Sequence, residues 1–106
     1  LPIDVKPVRT FDEFRSALQE SFFPIALIEW EGDVGETVSL LEAGIEFSAQ
    51  SVIFARKPLS EELRLLMRAA GAMLVLEEWP TWSRWSVLIT HLVRESQDRL
   101  RAGGGS

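Results

Sequence analysis

The chain has no cysteine. Disulfides and thiolate metal sites are therefore excluded, and the composition is compatible with a reducing compartment. A cytoplasmic location is the expectation. Cations are also scarce: Lys and Arg number 11 against 16 Asp and Glu, for a net charge of -5. No basic stripe stands out, so the electrostatic term that drives binding to phosphates is missing. Nucleic acid and anionic membrane surfaces are accordingly not expected as partners. No apolar run approaches the ~20 residues of a membrane-spanning helix. Leu1-Pro2-Ile3-Asp4 has neither the basic nor the apolar region of a signal peptide.

Catalytic signals are equally sparse. His91 is the sole histidine, and no Ser, Cys or carboxylate stands at a recognisable spacing from it. It lies on the side of its helix away from the Trp85 stripe and reads as a surface residue. Gly32-Asp33-Val34-Gly35 has neither the spacing nor the lysine of a phosphate-binding loop. No nucleophile has an activating neighbour. The expectation is a non-enzyme with no cofactor and no bound metal.

What is present is an ordinary globular composition, 46% hydrophobic and 25% charged over 106 residues, enough for one domain with one core. We assign residues 1–102 to that domain and 103–106, Gly-Gly-Gly-Ser, to a flexible linker or artificial tail. The whole reads as a piece of a longer protein.

Strand and helix signals alternate. Ile3 to Val8 can be extended, with Pro7 confining it to an edge or a strand end. Thr10 and Glu13 form a capping box before Phe11, Phe14, Leu18 and Phe22 at helical spacing, and Pro24 ends that helix. Ile25 to Ile28 is apolar on both faces, as in a covered parallel strand. Val38, Leu41 and Ile45 predict a helix over roughly 35–48, with Gly44 weakening its last turn. Val52 to Ala55 is a further strand. Ser60 caps a helix whose stripe is Leu63, Leu66, Met67 and Ala70, and Gly71 closes it. Met73 to Leu76 is the fourth strand. Pro80 and Thr81 open a last helix with Trp85, Leu88, Ile89, Leu92 and Val93 on its apolar face.

This β-α-β-α-β-α-β-α order predicts an α/β fold: a small open parallel sheet of about four strands with helices on both faces, flavodoxin-like. Simple consecutive order would place every crossover helix on one face and leave an apolar face open. A central position for the first strand, in order 2-1-3-4, resolves that conflict and is the favoured arrangement. Coverage by a second copy is the alternative.

Three stretches carry a family resemblance: FPIALIEWEGDVGETVSLLEAG, SVIFARKPLSEELRLLMRAAGA and MLVLEEWP, with VRTFDEFRSALQ upstream. They resemble strands two to five and helices two to four of response-regulator receiver domains, over roughly residues 8–98. The rhythm and the Ala70-Gly71-Ala72 turn carry the likeness, and one βα unit is missing on this register. The resemblance also marks what has been lost. No acidic pair corresponds to the family's Mg²⁺ site. The phosphoacceptor aspartate aligns with Glu29 or Trp30, the switch Ser/Thr with Ala55, and the lysine with Glu78 or Trp79. The resemblance therefore implies a degenerate pseudo-receiver of a bacterial-type signalling protein, without phosphotransfer.

Two sites follow. Strand ends carry Glu29, Trp30, Glu31, Asp33, Arg56, Lys57, Glu77, Glu78 and Trp79, where open α/β sheets bind ligands. Such carboxylates suit a divalent cation. The plainer reading is solvated loop charge, and no metal is assigned. The second site is Trp79 and Trp82 with Glu77 and Glu78. Exposed tryptophan is enriched at interface hot spots. The resemblance implies a partner surface built from the third helix, the fourth strand and the last helix. The plainer reading there is a tryptophan cluster plugging the sheet against the last helix. The expected activity is binding to a protein partner, with self-association through a sheet or helix face as the first alternative and small-molecule or metal binding by the strand-end carboxylates as the second.

Overall fold

A computed structural model describes residues 5–104. Its elements are α1 (Phe11–Glu20), β1 (Ile25–Glu29), α2 (Val34–Glu46), β2 (Gln50–Phe54), α3 (Glu61–Ala69), β3 (Ala72–Leu76) and α4 (Trp82–Gly104). The strands form one open parallel sheet in the order β1-β2-β3. Helices cover both of its faces. This is a flavodoxin-like α/β arrangement that lacks one βα unit.

The helix starts follow from local chemistry. Thr10 Oγ1 accepts from the Glu13 amide at 3.1 Å, while Glu13 Oε2 accepts from the Arg9 amide rather than from Thr10 itself. The Asp33 carboxylate caps α2 through the Glu36 amide, and Ser60 caps α3 through the Leu63 amide. Each cap satisfies a helix-end N–H that otherwise has no partner. Gly71 ends α3 at φ +119, a conformation that side-chain-bearing residues avoid.

Alternation along the strands separates the two faces. Ala26 and Ile28 of β1 and Ile53 of β2 join a core with Phe14 and Leu18 of α1, Leu41 and Ala43 of α2, and Met67 of α3. We call this the helix-rich face. The opposite face carries Leu27, Gln50, Val52 and Phe54, and α4 crosses it. Gln50 Nε2 donates to the Leu92 carbonyl of α4 at 2.5 Å.

Three expectations change. Among the described residues, the segment 3–8 supplies no fourth strand. Residues 5–8 carry no strand, and Ile3 and Asp4 lie outside the described residues. The central strand is therefore β2, not the first extended segment, and the order is consecutive. The face conflict is relieved by α4, which follows the last strand and so is free to cross to the other side.

The buried face of α2 is also rotated from the expected one. Thr37, Leu41 and Gly44 point inward, while Ile45 is 60% exposed. The cause is close packing: a Cβ on Gly44 would stand 2.5 Å from Ser51 Oγ, so the glycine lets α2 press onto β2. Leu66 of α3 is likewise largely exposed, with Met67 taking the core position.

At the C-terminal end, α4 continues through Gly103 and Gly104. Gly105 and Ser106 lie outside the described residues. No described helix is long and apolar enough to cross a membrane.

Candidate functional site

The chain leaves β3 through Glu77-Glu78-Trp79-Pro80 and enters α4, whose first turn is capped by Thr81. Its Oγ1 accepts from the Arg84 amide and its carbonyl from the Trp85 amide. The parallel strands end together, so this exit lies beside Phe54 at the end of β2. Trp79 meets Phe54 edge-to-face at a centroid distance of 5.0 Å and meets Trp85 at 5.1 Å. Each such pair contributes about 0.5–1.5 kcal/mol beyond burial. Trp85 is buried at 9% exposure, as expected of a core residue.

Trp79 nevertheless remains 59% exposed, and Trp82 is 70% exposed. One indole is thus held at its edge by two aromatic rings, and a second projects from the first turn of α4. Trp85 is thus packed at the sheet end, while Trp79 and Trp82 remain more than half exposed.

The acidic neighbours divide. Glu77 is partly buried and forms an ion pair with Arg64 of α3. Glu78 is exposed. The Arg64 pair ties α3 to the β3 exit and links the tryptophan rim to an open depression of ≈ 520 Å³ on α3, lined by Leu59, Glu61, Arg64, Leu65 and Arg68. Leu65 is 62% exposed. Sequence reasoning missed this extension. Its signal was Leu65 itself, which stands off the Leu63–Met67–Ala70 stripe with Arg64 and Arg68 at either side.

The positions matched to the receiver phosphoacceptor pocket are filled differently. Glu29 at the end of β1 pairs with Arg56 at 2.7 Å. Trp30 is half-buried against the helix-rich core, and its amide donates to the Phe54 carbonyl. Ala55 is fully buried, with its amide bonded to the Leu76 carbonyl. Glu29 and Glu78 belong to strand ends on opposite sides of β2, whose axes lie about 9.5 Å apart. Among the described residues, no three Asp, Glu or His side chains are grouped to hold a metal ion. His91 is exposed, as expected, but a carboxylate does stand at helical spacing from it: Glu95, four residues on, pairs with it at 3.0 Å.

No protein-family model, curated protein or solved structure matches the chain.

Proposed function

We propose that this domain is a non-catalytic, receiver-like interaction module of a bacterial-type signalling protein, working in the cytoplasm. It binds a partner protein through the surface formed by α3, β3 and α4. The observation that carries this reading is the pair Trp79 and Trp82, together at the β3 exit and both more than half exposed. Tryptophan is a preferred hot-spot residue because it buries much apolar area for little lost side-chain entropy. Trp79 is already oriented by Phe54 and Trp85, which lowers the ordering cost on binding. Glu78 and the Leu65 and Arg68 side chains on α3 supply the polar and apolar rim.

The absence of phosphotransfer belongs to the same reading. A carboxylate at Glu29 engaged by Arg56, and a methyl at Ala55 in place of a hydroxyl, supply neither the nucleophile nor the switch of a receiver. The test pairs two spectra of the ¹⁵N-labelled domain. Beryllofluoride with Mg²⁺ leaves the amides of Glu29, Trp30 and Ala55 in place. A partner peptide or protein shifts the Trp79 and Trp82 indole signals. Movement of the first set with fluoride overturns the non-catalytic reading.

A further inference from the structure

We propose that the free edge of β1 pairs antiparallel with β1 of a second copy, on a two-fold axis at Leu27, giving a continuous six-stranded sheet. The surface is separate from the tryptophan rim.

The backbone supplies the first argument. The Pro24 carbonyl and the Trp30 amide both bond to β2. In a parallel ladder, alternate residues direct their amide and carbonyl groups to the same neighbour. Ile25, Leu27 and Glu29 therefore direct theirs to the outer side of β1, where no strand pairs among the described residues. Unpaired strand edges recruit other strands unless they are blunted.

The two sheet edges differ in that respect. On β3 the register skips Met73, an irregularity that disrupts regular pairing. On β1 the register is continuous from Ile25 to Glu29. The segment has no lysine, no proline and no bulge, and Leu27 at its centre is 46% exposed.

The second argument selects the occupant. An axis at Leu27 puts Leu27 against its own mate, Ile25 opposite Glu29, and Ala26 opposite Ile28. In a chain of net charge -5 this register opposes no like charges. Glu29 is also neutralised by Arg56. Moving the axis to Glu29 would oppose two carboxylates, which is unfavourable. The edge is thus complementary to itself in one register, and that register also uses every residue of the strand.

The absence of cysteine makes the test clean. In a hydrogen-bonded antiparallel pair, facing Cα atoms are ~5.5 Å apart, within disulfide reach. Leu27→Cys is expected to oxidise largely to a covalent dimer, while Met73→Cys on the other edge stays monomeric. A mixture of Ile25→Cys and Glu29→Cys chains is expected to cross-link, and Glu29→Cys alone is not. Light scattering of the unmodified chain gives twice the 12.0 kDa chain mass, and Leu27→Lys returns it to once with unchanged circular dichroism. A monomeric unmodified chain, or cross-linking as efficient at Met73 as at Leu27, overturns the proposal. Cross-linking of Glu29→Cys alone overturns the register.

Discussion

The two faces of the sheet are built to different standards. On the helix-rich face, Leu41 and Ile53 are fully buried, Met67 is 2% exposed, and three helices share one core. On the other face α4 works alone. A glutamine, Gln50, anchors it, and Gln50 Oε1 and Trp85 Nε1 lack hydrogen-bond partners among the described residues, as does Ser51 Oγ on the helix-rich face. Leu27 is left partly uncovered there, and Trp79 and Trp82 project at the strand exit. Buried polar atoms without partners are costly and rare. The helix-rich face thus has the larger shared core, while on the α4 face Val52 and Leu92 are as deeply buried but Leu27 and the strand-exit tryptophans stay exposed.

The sharpest way to break this contrast is to truncate one leucine on each face. Leu41→Ala removes a fully buried side chain and is expected to cost about 2–5 kcal/mol in urea unfolding. Leu27→Ala, read below the dimerisation concentration, is expected to stay within about 0.5 kcal/mol. Equal losses would contradict the asymmetry.

A smaller effect probes the contact that sets the helix-rich face. Gly44→Ala drives a methyl group into Ser51 Oγ and is expected to cost about 1–3 kcal/mol. Adding Ser51→Ala removes the colliding oxygen, which itself lacks a partner among the described residues, and is expected to recover much of the loss. A double-mutant cycle on thermal midpoints reads the coupling.

On the α4 face, Gln50→Ala deletes the bond to the Leu92 carbonyl. The expected loss is about 1–2 kcal/mol, with faster amide exchange confined to α4. Uniform acceleration would mean that α4 is as firmly integrated as the other three helices. The smallest effect belongs to Trp82→Ala, expected within about 0.5 kcal/mol of the parent because the indole is mostly exposed. Iodide quenching of the remaining fluorescence should fall, since an accessible emitter has gone.

Much of this architecture was legible where chemistry is local. Thr10, Ser60 and Thr81 mark helix starts because a side-chain oxygen must meet an orphan amide, and Gly71 marks an end because its φ is positive. The three strands announce themselves as short continuous apolar runs, although only β2 is buried on both faces. Placement across the sequence was harder. Ile3–Val8 has strand-like composition, yet pairing depends on a neighbour that no local pattern specifies. Ile45 and Leu66 sit at helical spacing, but the direction of each helix is set by its contacts, Gly44 on Ser51 and Met67 in the core. At the candidate site, the tryptophans could be named from sequence, whereas the Arg64–Glu77 pair joins residues whose proximity only the fold creates.

The proposed function requires that the Trp79–Trp82 rim dock another protein. A photo-cross-linking amino acid at the exposed position Ser83, introduced into the protein in its native cell, tests it most directly, with the exposed position Ser39 on α2 as control. One discrete adduct with a different polypeptide is expected at 83, none at 39, and the adduct is lost in Trp79→Ala/Trp82→Ala protein that keeps its circular dichroism. An adduct that survives the double substitution, or equal capture at both positions, would contradict it.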